Sequence, residues 1–148
     1  MKEMTIDYAL RATWQAVSKM YNEEAKHYGL TMAIGFTLLS IDPKEGTPST
    51  ALGPKMGMEA TSLSRILKNI EERGYIQRKP NPKDGRGVLI HLTALGLEKR
   101  KDSKDVVLRF NEVVRENVSE NDLVSFFRTA DIINKLIIEK KIYTKTTN

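Results

Sequence analysis

The spacing of apolar residues changes once along this chain, between residues 59 and 92, and that change restricts the fold more than any other feature. Over residues 59–73 the side chains of Leu63, Ile66, Leu67 and Ile70 recur at i, i+3, i+4 and i+7, the signature of one buried helix face. Gly74 predicts the stop of that helix. Residues 75–79 and 88–92 then form two short runs rich in aromatic and branched side chains, separated by the turn-forming segment PNPKDGRG. This order predicts a helix followed by two strands joined by a flexible hairpin with a basic tip. Alternation puts Val88, Ile90 and Leu92 on one face of the second strand, with Leu89 and His91 on the other.

The flanks are helical in pattern. Leu10, Trp14, Val17, Tyr21, Ala25 and Tyr28 recur at spacings of three and four, predicting an amphipathic helix over residues 6–28 that Gly29 ends. Thr31 is a candidate cap for a second helix running through Ile34, Leu38 and Ile41. Residues 42–49, DPKEGTPS, are dense in breakers and read as a loop. The short helical piece STALGPKM breaks at Met56-Gly57-Met58, and Pro54, which has no N–H, predicts that it is short or distorted. Thr93 can cap a long helix to about residue 117, and Ser119 with Asp122 opens a last helix to about residue 141, leaving residues 142–148 as a frayed tail. No repeat or low-complexity segment interrupts the pattern, so the expectation is a single domain over residues 1–148, mainly α with a small β-hairpin wing.

Charge singles out the middle of this chain. The formal net charge is +5, from 24 Lys plus Arg against 19 Asp plus Glu. Residues 1–41 and 102–148 are each balanced, whereas residues 42–101 carry twelve basic and seven acidic side chains. The whole excess therefore belongs to the helix–turn–helix and hairpin, and it points to a polyanionic partner. A helix-turn-helix reads DNA by setting its second helix in the major groove with polar side chains toward the bases while an apolar stripe holds it to the domain. Opposite the stripe, residues 59–73 offer Thr61, Ser62, Ser64, Arg65 and Lys68. Short hydroxyls allow close approach, and the Arg65 fork matches guanine O6 and N7. On the hairpin, Lys79, Lys83 and Arg86 surround the turn, with Asp84 spaced to hold the Arg86 guanidinium across it. An Arg at such a tip suits a narrow minor groove, where the negative potential is enhanced.

The stretch GMEATSLSRILKNIEERGYIQRKPNPKDGRGVLIHLTALG resembles the winged helix-turn-helix of the MarR family of bacterial transcription regulators. Its most specific part is ERGYIQRKPNPKDGRGVLIHLTALG, which is similar to the family's helix end, strand, Asp-x-Arg wing and Leu-Thr-x-x-Gly entry into the next helix. Gly53-Pro54 departs from the small-plus-charged pair usual in the first short helix. The resemblance implies a winged helix-turn-helix over residues 42–93, flanked by N- and C-terminal dimerisation helices in residues 1–30 and 94–148. It implies that Ser62, Ser64 and Arg65 face the major groove and that Arg86, positioned by Asp84, reaches the minor groove. It also implies a pocket for small aromatic or anionic effectors, for which Trp14, His27, Tyr28, Met32 and Phe36 are the candidate lining. The apolar residues of the last helix, among them Phe126, Phe127, Ile132, Ile133 and Ile137, fit a two-fold interface independently of the resemblance.

Several other classes find no support. With no cysteine there is no disulfide framework, no thiolate metal site and no thiol redox sensor, which fits a reducing cytoplasmic address. The amino end lacks the apolar core of a signal peptide, and no stretch approaches the length of a membrane span. His27 and His91 stand apart with no H-E-x-x-H pattern, and neither a GxGxxG motif nor a P-loop occurs, so neither a cofactor, a metal nor an enzyme is expected. The expectation is a homodimeric, sequence-specific DNA-binding repressor with double-stranded DNA as partner and a pseudo-palindromic operator, possible release by an effector included. The alternative is a winged-helix module that docks on a protein and binds no DNA.

Overall fold

The computed structural model describes residues 4–144 and, within them, every side chain but that of Arg86. Its elements are α1 (Ile6–Lys26), α2 (Met32–Ser40), β1 (Thr47–Pro48), α3 (Ser49–Met56), α4 (Ala60–Glu72), β2 (Ile76–Asn81), β3 (Asp84–Leu92), α5 (Ala94–Asn117) and α6 (Glu120–Ile138). They fall into two compact units, Met1–Val107 and Leu108–Asn148, divided within α5.

The first unit is built on the stripe from which the sequence was read. Leu63, Leu67 and Ile70 of α4 are buried with Ile34, Leu38 and Ile41 from α2 and its end, Leu52 of α3, Tyr75 just before β2, and Ile76 and Ile90 from the strands. Leu38, Ile41, Leu52, Ile70 and Ile90 are all but sealed from solvent. Burying each such side chain stabilises the fold by about 1.5–3 kcal/mol. This one core fixes α4 and the hairpin against α2 and α3.

Local chemistry sets the helix ends. Thr31 Oγ1 accepts a hydrogen bond from Ile34 N at 3.2 Å, Thr93 Oγ1 from Gly96 N at 3.0 Å and Ser119 Oγ from Asp122 N at 3.2 Å, so the three candidate caps are in place. Gly74 stops α4: the N–H of Tyr75 returns to Ile70 O at 2.9 Å and that of Gly74 to Glu71 O at 3.0 Å. α5 then starts tight against the beginning of β2. Thr93 donates its N–H to Tyr75 O at 3.0 Å and its hydroxyl to Gly74 O at 2.5 Å. A Cβ on Gly96 would run into the Tyr75 carbonyl, so only glycine allows this approach.

The three strands form an antiparallel sheet in the order β1-β3-β2. The sequence reading made residues 42–49 a plain loop, and β1 lies inside it. Thr47 and Pro48 pair with Ile90 and Leu89 because β3 offers them an open edge; two residues, one of them proline, carry no strand pattern of their own. The wing strands also run further into the turn segment than expected, to Asn81 on one side and from Asp84 on the other. α3 does continue through Pro54, remaining short at eight residues.

The second unit holds the end of α5 and α6. Leu123 is buried, Phe126 and Phe127 meet edge to face at 5.7 Å, and the Arg115 guanidinium lies 5.9 Å over the Phe127 ring. Of the expected tail, residues 145–148 lie outside the described residues. No described helix is long and apolar enough to cross a membrane.

Candidate nucleic-acid interface

With the α4 stripe turned inward, the opposite face is fixed by geometry. Thr61, Ser62, Ser64, Arg65 and Lys68 are all exposed on it, together with Asn69, which the sequence reading left out. α4 enters from Glu59, whose side chain makes no capping bond. Its first turn therefore carries the positive end of the helix dipole beside the two hydroxyls Thr61 and Ser62.

The wing is shaped by a register jump. Pairing runs regularly from Ile76↔Leu92 to Pro80↔Val88 and then passes directly to Asn81↔Asp84. Gly85, Arg86 and Gly87 are consequently extra residues on β3, a bulge that sets Arg86 between two glycines. Asn81 Oδ1 accepts from Lys83 N at 3.0 Å and closes the tip. The Asp84 carboxylate lies over this bulge, with Oδ2 3.2 Å from where a Cβ on Gly87 would stand. The Arg86 side chain itself lies outside the described residues. Lys79, Lys83 and Asp84 are exposed along the strands and tip.

The basic side chains of the middle segment divide into two groups. Several are committed to the fold: Lys55 Nζ donates to Ser40 O, Arg73 to Gly29 O and Lys99 Nζ to Tyr28 O, each at 2.8 Å. Arg78 pairs with Glu71 at 3.2 Å, and Lys101 with Asp105 at 3.0 Å, which raises the Lys101 pKa. Arg65, Lys68, Lys79 and Lys83 are exposed, and among the described residues their side chains have no ion-pair or hydrogen-bond partner. Four cations without such a partner thus lie on α4 and the wing, where an incoming polyanion would find them, and Lys44 is a further exposed one in the loop before β1. Sequence alone offered no means of sorting Arg65 from Arg73 or Arg78.

A separate cleft lies within the first unit. Its empty volume, counted out to its open mouth, is about 330 Å³, and Tyr28, Met32 and Phe36 line it together with Tyr21, Gly35 and Ser103. Trp14 and His27 are exposed on α1 and at its end, and they are not part of that lining. Among the described residues, no lysine, arginine, histidine or carboxylate lines the cleft. Burial pushes the Tyr21 phenol above its ordinary pKa. Among the described residues, no three His, Cys, Asp or Glu side chains gather as a metal site.

Residues 30–88, which hold α2, α3, α4 and most of the wing, match the model of the MarR family. Over those residues the chain is similar to the MarR family. The chain is 29% identical over 121 residues to the HTH-type transcriptional regulator SarZ of Staphylococcus aureus, spanning 81% of the chain and 76% of SarZ. Its fold is similar to that of S. aureus MepR in a DNA complex, with a TM-score of 0.83 at 17% identity over 91% of this chain and 99% of MepR. It is similar also to an E. coli MarR variant complexed with operator DNA, at TM-score 0.77 and 21% identity over 86% and 92% of the two chains. A third neighbour is PcaV of Streptomyces coelicolor in complex with its natural ligand, at TM-score 0.75 and 19% identity over 91% and 98%. The fold here is thus a winged helix similar to that of these solved structures.

Proposed function

We propose that the protein is a homodimeric, sequence-specific repressor in the cytoplasm that reads a pseudo-palindromic operator. The observation that carries this reading is the set of four uncommitted cations, Arg65, Lys68, Lys79 and Lys83, on α4 and the wing. In this reading residues 42–93 are the DNA-binding lobe. Thr61, Ser62, Ser64 and Arg65 enter the major groove, Lys68, Lys79 and Lys83 bind phosphates, and Arg86, steadied by Asp84, enters the minor groove. MepR and the MarR variant, which share this fold, are both seen with DNA. Repression needs nothing beyond tight occupancy of a promoter.

Residues 1–30 and 94–148 serve as the dimerisation lobe. α1 exposes Ile6, Leu10 and Trp14 one helical turn apart, and α6 leaves Phe126 59% and Ile137 58% exposed. Such faces are too apolar to stay in water, and a second copy supplies a matching surface. Two-fold symmetry then sets half-sites roughly 10 bp apart. The cleft beside α2 takes the effector, and its uncharged lining favours a neutral aromatic molecule over an anion.

Sedimentation equilibrium combined with binding to DNA tests the whole reading. Fragments of the source genome retained by the protein are sequenced, and the shared motif is titrated. A dimer with salt-sensitive affinity for a two-fold symmetric motif is expected. A monomer at micromolar concentration, or binding that does not distinguish the motif from random duplex, overturns it.

A further inference from the structure

The link between α3 and α4 is three residues long, Gly57–Glu59, and methionine stands at its start and within it, as Met56 and Met58. α3 closes at Met56-Gly57-Met58. Gly57 adopts φ +63, its N–H reaches Pro54 O at 3.3 Å, and the N–H of Met58 reaches Gly53 O at 2.9 Å. These are the paired bonds of a helix-closing motif in which the residue after the glycine packs its side chain back on the helix. Here that residue is Met58. Met56 and Met58 are both half-buried against the core that contains Leu52 and Leu63. The two helices are close enough that a Cβ on Gly53 would stand 3.2 Å from Met58 O and 3.8 Å from Leu63 Cδ2. A change of shape or polarity in either methionine therefore reaches the base of α4.

We propose that Met56 and Met58 are an oxidant-modification site, at which conversion to sulfoxide lowers DNA affinity; the readout on DNA rests on the function proposed above. The chain has no cysteine, so no thiol competes for a two-electron oxidant and the thioethers are its readiest sulfur reductants. Hypochlorous acid delivers its oxygen to the sulfur: a sulfur lone pair forms the S–O bond, the O–Cl bond breaks, the sulfur is oxidised by two electrons, and chloride and a proton leave. The product carries a strong acceptor where an apolar group filled the core edge, and burying it without a donor opposes the α3–α4 packing. Methionine sulfoxide reductases reverse the change. Met4 is 69% exposed on the approach to α1 and serves as an internal control, since it is reactive but remote from the turn in sequence and element.

The test oxidises the full chain with limiting hypochlorous acid and passes it over an immobilised genomic fragment that the reduced protein retains. Peptide mass spectrometry then reads the sulfoxide at each methionine in the bound and unbound fractions. Sulfoxide at Met56 and Met58 should concentrate in the unbound fraction while that at Met4 divides evenly. Affinity of the oxidised pool should fall at least tenfold and return after treatment with both reductase types. The double variant Met56→Leu, Met58→Leu should keep its affinity through the same oxidation. Equal sulfoxide at Met56 and Met58 in both fractions overturns the proposal, and so does an equal loss in the double variant. If the leucine variant does not fold, the fractionation of wild type alone decides. Amide exchange over residues 53–63, faster in the oxidised chain, reads the same site without DNA. Should the reduced protein retain no fragment at all, the DNA-binding reading fails, and exchange still decides on the methionines.

Discussion

Replacing Arg65 with alanine removes a side chain that the folded protein does not use. It stands exposed on α4, opposite Leu63, Leu67 and Ile70, with no hydrogen bond or ion pair among the described residues. Surface substitutions of this kind change stability by no more than about 0.5 kcal/mol, and alanine is itself a strong helix former. The melting temperature should therefore stay within a degree or two, at about 2–4 °C per kcal/mol for a chain of this size. On the operator the cost is of another order. A bidentate contact from Arg to guanine discriminates by about 1–3 kcal/mol, or about 5- to 160-fold for each half-site. Fluorescence anisotropy against the selected operator and a scrambled duplex, over about 50 to 200 mM salt, separates the contributions. Arg65→Ala should lose the operator preference at one base pair per half-site and keep most of its affinity for scrambled DNA. Arg65→Lys should keep the salt slope, having kept the charge, and still lose specificity, having lost the fork. Equal losses on both duplexes would reassign Arg65 to a phosphate, and no loss on either would remove α4 from the recognition face.

Other perturbations test the scaffold beneath that face. Ile70→Ala empties a fully buried position, so a loss of about 2–5 kcal/mol is expected, and a calorimetric melt that moves by less than about 4 °C would contradict it. Gly96→Ala sets a methyl against the Tyr75 carbonyl and drives α5 away from β2, which should destabilise by at least about 1–3 kcal/mol in urea; an unchanged midpoint would show that the approach is looser than described. Asp42 accepts from the N–H groups of Glu45 and Lys44, chiefly the former, which holds its carboxyl below the ordinary range. A depressed folded pKa contributes stability above the unfolded value, near 3.9, and loses it as pH falls through the folded value. Wild type should therefore melt above Asp42→Asn at neutral pH and converge with it in acid, whereas a gap that is constant with pH would exclude the carboxylate as its source.

Legibility in the sequence followed the range of the interaction. The α4 stripe, its stop at Gly74 and the caps Thr31, Thr93 and Ser119 were readable because each depends on residues within about one helical turn. β1 was not, since Thr47 and Pro48 are a strand only through Ile90 and Leu89, more than forty positions away. The candidate interface was legible as a set of residue types on one helix face and one turn. Which cations serve the fold was not: Arg73 resembles Arg65 until Gly29 is seen beneath it, 44 residues distant. The cleft shows the same division. Tyr28, Met32 and Phe36 could be named from the meeting of two helices, but the opposite wall comes from Ser103 and Val106 of α5, and the rotation of α1 turns Trp14 outward.

The committed cations bear on how a cleft occupant would be felt by α4. Arg73, the residue that ends α4, holds the Gly29 carbonyl, and Lys99 holds that of Tyr28. The turn from α1 into α2 is thus fastened to the carboxyl end of α4 by Arg73 and to α5 by Lys99. α2 has two faces: Ile34 and Leu38 are packed in the core shared with Leu63, Leu67 and Ile70, while Met32, Gly35 and Phe36 border the cleft. Gly35 leaves little room on that side, because a Cβ there would stand 3.2 Å from Ser103 Oγ. A ligand that shifts α2 must work against the close-packed core that sets α4, with no further intermediary. What it achieves is limited by the difference in its affinity for the two arrangements, typically about 1–3 kcal/mol; under the function proposed above, operator DNA must weaken ligand binding by the same factor. Arg73→Met should reduce that reciprocal factor while leaving each affinity measured alone close to wild type, because Arg73 touches neither the exposed face of α4 nor the lining of the cleft.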